Sequence, residues 1–370
     1  MDRRCLWSAA ISLSVVSLIL SSTLAVAHRD DNSYRQIALV TVPGAPLNSF
    51  DISWVDRSSQ TYYLADRSNK GIDIINARNS TFVARIGGFV GFTGSNETSG
   101  PNGVVVVHPR HELWAGDGDS TVKVVDVETR QIVKSISTGG AKRADEIAFD
   151  PKDHIVLVAN DADEVPFVTF ISEKDRTVLG HISFPDATNG LEQPVWDPET
   201  HLFFMSVPQI GSDALHGGIA VMDPRSLTIR TVFPVANCQP AGLALGPHQH
   251  LLLGCSQDAI SAGAHAQTIV MNARDGSTVA TITQVGGSDE VWFNPGDDRY
   301  YLAARGMTSN GLSTGTPTPV LGVIDADDNE WITNIPTGPN AHSVAADPIN
   351  NRIFVPLRGR GVAVFAHDDD

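Results

Sequence analysis

Cysteine is scarce, with three in 370 residues, and no two of them form a CxxC pair, which removes thiolate zinc sites and dithiol redox motifs from consideration. An HExxH helix and a serine-nucleophile elbow are also missing, so zincin-type and hydrolase-elbow chemistry have no sequence support. Long apolar runs are nearly absent. The one candidate, Ile11 to Leu20, is shorter than the ~20 residues a membrane span needs. Basic residues are in deficit, 26 Lys and Arg against 42 Asp and Glu for a formal charge of −16, too acidic for a nucleic-acid or anionic-membrane partner. No 3.6-residue amphipathic stretch of any length occurs, which argues against a helical body.

The N-terminal segment reads as an export signal. Arg3 and Arg4 precede the apolar core, and Ala25-Val26-Ala27 is a small-residue cleavage site. Cleavage gives a mature chain from His28, secreted or periplasmic. Loss of residues 1–27 removes Asp2, Arg3 and Arg4, so the charge becomes −16 + 1 − 2 = −17. Cys238 and Cys255 then remain, flanking the first hairpin of the fifth repeat described next. In an oxidising compartment a disulfide between them contributes about 3 kcal/mol; two unpaired, half-buried thiols are the alternative.

What the chain does have is a repeat. Seven times a polar or small residue leads into a short apolar strand that ends at an Asp-Pro-like turn. The copies are Phe50 to Asp56, Gly103 to Pro109, Asp145 to Pro151, Glu192 to Pro198, Ala241 to Pro247, Asp289 to Pro295 and His342 to Pro348. A unit of roughly 40 to 50 residues with several strands is the mark of a β-propeller, one four-stranded blade per repeat. Third strands recur as Gly71 to Asn76, Thr121 to Asp126, Phe167 to Ile171, Gly218 to Asp223, Thr268 to Asn272, Val320 to Asp325 and Gly361 to Ala366. The last repeat has no fourth strand, while an orphan strand, Gln36 to Val42, stands at the other terminus. Pairing the two closes the ring and removes its open edges. The expectation is one all-β domain over 28–370, a seven-bladed β-propeller closed by its N-terminal strand. Six blades is the competing count, because the first repeat lacks the turn proline.

The segments LADRSNKGIDIIN, DSTVKVVDVETRQIVKSISTGG and NAHSVAADPINNRIFVP resemble repeat units of the YVTN/NHL-type propellers of exported proteins, over nearly the whole mature chain. The resemblance implies the fold, and a function anywhere among lactonases, lyases and non-catalytic binders. Its gluconolactonase-like branch implies one divalent cation in the channel, held by Glu, Asn and Asp from different blades. No ligand of that branch is matched residue by residue here.

An innermost strand starts at one mouth of the channel, so the residues leading into it ring that mouth. The first position of the seven repeats gives Asp51, Gly103, Asp145, Glu192, Ala241, Asp289 and His342. The second gives Ile52, Val104, Glu146, Gln193, Gly242, Glu290 and Ser343. So many carboxylates in one place repel unless a cation, arginine or shared protons neutralise them. Asp51, Asp145, Glu192, Asp289 and His342 are therefore candidate ligands for Ca²⁺, Mg²⁺, Mn²⁺ or Zn²⁺. Glu146, Glu290 and His342 are candidate catalytic groups acting on bound water or a substrate carbonyl. The alternative role for each acid is to accept backbone N–H bonds and hold blades together.

Second strands end at the same face and place Arg67, Arg305 and Arg358 there, to clamp a substrate carboxylate or to pair with neighbouring acids. Long loops at 209–217, 257–267 and 306–319 lie on that face and are candidates for binding. Trp54, Trp196 and Trp292 read as packing between blades. The functional expectation is a cation-dependent, lactonase-like hydrolase or lyase acting on a small molecule as a monomer. A non-catalytic propeller that binds a ligand or protein partner through these loops is the alternative.

Overall fold

The computed structural model describes residues 33–108 and 110–368; the expected signal segment lies outside them. Seven four-stranded antiparallel sheets follow one another along the chain. The first blade is Ser53–Asp56, Thr61–Asp66, Gly71–Asn76 and Thr81–Gly87, and the next five repeat its order. The seventh consists of Ala345–Asp347, Arg352–Leu357 and Gly361–His367, with Tyr34–Val40 as its outer strand. Tyr34 pairs with His367 and Val40 with Val362, so the ring closes through hydrogen bonds between the two ends of the described chain. The fold matches the seven-bladed expectation, and the closing strand starts two residues earlier than the sequence suggests.

Apolar side chains explain why the ring is rigid. The core is seven separate clusters, one at each blade–blade junction. Successive strand residues point to opposite faces, so each middle strand serves two neighbours. Tyr62 packs on the seventh blade and Tyr63 on the second. Phe203 and Phe204 divide likewise between the third and fifth blades. The run Val104-Val105-Val106-Val107 is buried throughout: Val104 and Val106 face the first blade, Val105 and Val107 the third. Continuous apolar runs are what a sheet covered on both faces requires.

The recurring Asp of each turn has a local task. Asp150 Oδ1 accepts the backbone N–H groups of Lys152 and Asp153 at 2.8 and 3.1 Å. Asp197 and Asp347 do the same for Glu199 and Ile349 at 2.9 and 3.0 Å. Asp56 holds Ser58 N at 3.0 Å, so the first repeat makes its turn without proline. Capping by a short acidic side chain is what Asx-type turns use. Every outer strand also carries one bulge, which leaves Ile37, Val83, Val133, Leu179, Arg230, Val279 or Ile332 without a cross-strand partner. A bulge at a sheet edge hinders pairing with another chain.

One feature goes beyond the sequence reading, and one agrees with it. Loop 257–267 contains one turn of helix, Gln257–Ser261, capped by Ser256. Cys238 and Cys255 are disulfide-bonded, joining the entrance of the fifth blade's inner strand to the end of its second strand. The closed loop predicts a loss of about 3 kcal/mol of unfolding free energy in the Cys238→Ala/Cys255→Ala variant, measured by denaturant titration. An unchanged midpoint and slope would show that the ring does not rely on the bridge.

Candidate functional site

At the end of the channel where the inner strands begin, a cavity of about 620 Å³ opens. It is lined by Asp51, Arg67, Asp145, Glu146, Glu192, Asp289, Arg305, His342 and Arg358, which the sequence singled out, and by Lys70, Phe92, Asn96 and Arg143. Glu290 is the exception among the expected residues. It lies a layer deeper, against a second cavity along the same channel.

Four aspartates meet arginines here. Asp51 pairs with Arg67; Asp145 and Asp161 share Arg143 Nη2, each at 2.7 Å; Asp289 meets Arg305 at 3.0 Å. Arg67 also donates to Asn102 Oδ1 through Nε and Nη2 at 2.9 and 2.6 Å, and Asn102 passes the link to Ala144 O at 2.7 Å. His342 stacks on Phe50, centroids 4.7 Å apart. Its Nδ1–H donates to Asn340 O at 3.0 Å, which turns Nε2 towards Asp51 at 3.6 Å. The polar chain from His342 through Asp51, Arg67 and Asn102 thus crosses from the last blade to the third.

Position decides protonation. Burial alone would raise the Asp51 carboxyl, yet Arg67, His342 and Arg143 outweigh it and hold the group below its usual range. Glu290 is raised well above its ordinary value by burial, although the Ser343 hydroxyl at 2.5 Å and Val344 N–H at 3.0 Å oppose this. Ser343 in turn touches Ser53 Oγ at 2.7 Å. Asp145 is raised because burial, Asp161 and Asp51 exceed what Arg143 and Arg67 offset, and its Oδ1 is buried with no hydrogen-bond partner among the described residues. Glu192 is raised by burial and by Asp289 and Asp161, against Arg143 and Arg305. Glu146 is raised furthest from any compensation: burial acts first, then Glu192, Asp145, Glu290 and Asp289, with no opposing cation among these causes. Its residue is 7 % exposed, and its carboxyl has no hydrogen bond or ion pair among the described residues.

The mouth is therefore a mixed ring of acids and guanidiniums. Among the described residues no group of three His, Cys, Asp or Glu is placed to share a metal ion, and Asp51, Asp145 and Asp289 have arginine partners instead. Arg67 and Arg305 are ion-paired, whereas Arg358 and Lys70 are exposed at the rim. Sequence reasoning missed Arg143, although Lys142-Arg143 directly precedes the Ala144-Asp145-Glu146 entrance. Of the long loops proposed for binding on this face, 257–267 places Gln257 and Asp258 in a smaller recess beside Glu192, Asp289 and Arg305, while Ala45, Pro46, Asn48, Phe92, Asn96 and Asn340 add to the lining of the main cavity. Trp54, Trp196 and Trp292 pack against blade cores and also line the second cavity, a placement the packing assignment omitted.

No known family model matches this chain, and no curated protein sequence does either. The YVTN/NHL and gluconolactonase-like assignment thus has no support from family matches. Solved structures do match. A chain of Kuenenia stuttgartiensis hydrazine synthase is 14 % identical, with a TM-score of 0.70 over 89 % of this chain and 98 % of its own. A chain from the crystal structure of a mitotic checkpoint complex is 14 % identical, with a TM-score of 0.66 over 100 % of both chains. Identity this low establishes the propeller class and nothing narrower.

The raised Glu146 carboxyl sets a pH dependence. A group whose folded pKa lies above its unfolded one adds stability that is complete below the unfolded value of 4.5 and is lost as pH rises through the folded value. Glu146→Gln keeps a neutral group at every pH. Its melting temperature should match the parent at about pH 4 and exceed it progressively towards about pH 9; parallel profiles would contradict the buried neutral carboxyl.

Proposed function

We propose that the upper cavity binds a small molecule with an anionic group and that Glu146 exchanges a proton with it, in a hydrolase or lyase reaction of lactonase-like type. One observation carries this reading: Glu146 is a nearly buried carboxyl, without a partner among the described residues, in the wall of a cavity whose aspartates are paired with arginine. A carboxyl whose pKa is raised by burial and by neighbouring acids is suited to give a proton to a leaving oxygen or, once ionised, to take one from water. Arg358 and Lys70, at the rim and outside the acid–arginine pairs, are suited to hold the anionic end. Arg67 and His342 act on the site by fixing Asp51 and the wall around it. The cation-dependent version is favoured by one fact, that the carboxyls of Glu146 and Glu192 have no hydrogen bond or close ion pair among the described residues, Arg143 and Arg305 acting on Glu192 only from a distance. Two carboxylates would leave a hard cation most of its coordination to water and substrate. The protein then acts as an exported enzyme, and binding through the same cavity without turnover is the simpler outcome the experiment separates.

The test is acid release from a panel of lactones and carboxylate esters at constant pH. Turnover by the parent should fall about 100-fold or more in Glu146→Gln with unchanged folding. Arg358→Ala should raise KM about tenfold and leave kcat nearly intact. Turnover that persists in Glu146→Gln, or a panel without a single substrate, would overturn the proposal. Chelation followed by metal analysis decides the second reading: activity lost to EDTA and restored by one of Ca²⁺, Mg²⁺, Mn²⁺ or Zn²⁺ supports the cation, and unchanged activity removes it.

A further inference from the structure

The second cavity, about 280 Å³, lies further along the inner strands and differs in kind from the first. Trp54, Phe149, Trp196, Trp292 and Phe293 line it, each half-buried, so aromatic surface is left facing the channel. Trp54 and Trp292 come from blades that are not neighbours, yet their rings meet edge to face at 5.1 Å. The seventh blade allows this because its inner strand, Ala345–Asp347, has alanines there. At the end nearest the upper cavity, Glu146 and Glu290 complete the wall. Both are more than nine-tenths buried, and Glu146 has no partner among the described residues. Among the described residues lining this cavity there is no lysine, arginine or histidine, in contrast to the guanidinium-rich mouth.

We propose that this lower cavity is a binding site for a small organic ammonium ion, with its alkyl or aryl body against the tryptophans and its positive charge at Glu146 and Glu290. The aromatic lining suits a cation with an apolar exterior, because indole rings attract quaternary and alkyl ammonium groups. The acidic end suits it too: an ammonium ion beside Glu146 and Glu290 favours their ionised forms, so its binding displaces the proton that burial favours, and among the described lining residues no cation competes. An anion would meet the same carboxyls unfavourably, and a neutral molecule would use the rings but not the charge. The volume lies just under the range typical of drug-sized ligands, which points to a molecule of choline or phenethylamine scale.

The experiment titrates the full chain, as purified, with choline and with its uncharged isostere 3,3-dimethylbutan-1-ol, followed by tryptophan fluorescence and calorimetry. Choline should bind saturably, at least about tenfold tighter than the isostere. Leu245→Trp, which fills the cavity from its wall, should abolish binding. Trp54→Leu should weaken it about tenfold, and serves if the filled variant does not fold. Arg358→Ala, in the upper cavity, should leave choline binding unchanged, so failure here is distinct from failure of the acid–base reading. Equal affinity for the two ligands, binding that survives both cavity variants, or no saturation by about 10 mM would each overturn the proposal.

Discussion

Closure of the ring by strand Tyr34–Val40 on Gly361–His367 is the constraint from which the other features follow. With both edges of the last blade paired, every blade has two neighbours, and each middle strand must present apolar residues to both sides. The alternating allocation of Tyr62 and Tyr63, or of Val104 to Val107, is the direct result. Closure also aims all seven inner strands at one axis, so the residues that start them converge on a single mouth. A repeat that is acidic at its first positions therefore becomes a concentrated negative charge in three dimensions.

The molecule relieves that charge in three ways, each visible in a different residue. Asp51, Asp145 and Asp289 are matched by Arg67, Arg143 and Arg305. Glu290 is held by a serine hydroxyl and a backbone N–H. Glu146 has neither, and desolvation of an unpaired ionised carboxylate costs too much for it to stay charged. Burial and the neighbouring acids raise its pKa and so favour its protonated form, the form that can give up a proton. The same residue stands in the walls of both cavities, so the polar mouth and the aromatic chamber share one titratable group.

Much of this arrangement could be read from the chain because the repeat couples position to geometry. The third strand Gly71–Asn76, for example, begins and ends in the structure where its pattern does, since its terminal Asn76 caps the following turn at Arg78 N, 2.9 Å away. Inner-strand entrances identified Asp51, Asp145, Glu146, Glu192, Asp289 and His342 as neighbours in space. Arg143 escaped because it belongs to the connection before its blade, where the repeat has no fixed length and side-chain reach decides the contact. The repeat carries no signal for the rest of the rim: residues of segment 45–50, which leads the closing strand into the first blade, line the mouth, whereas loop 306–319 folds on itself through the Thr308–Pro317 bridge. Glu290 sits deeper than Asp289 although adjacent, because its carboxyl turns inward to Ser343 Oγ and Val344 N while Asp289 meets Arg305 at the mouth.

Neutron diffraction from crystals exchanged into deuterated buffer near neutral pH tests the central claim most directly, since it locates the proton itself. The account predicts deuterium on the Glu146 carboxyl, with Asp51 ionised against Arg67. A Glu146 found deprotonated, with an ordered cation or guanidinium against its oxygens, would contradict it.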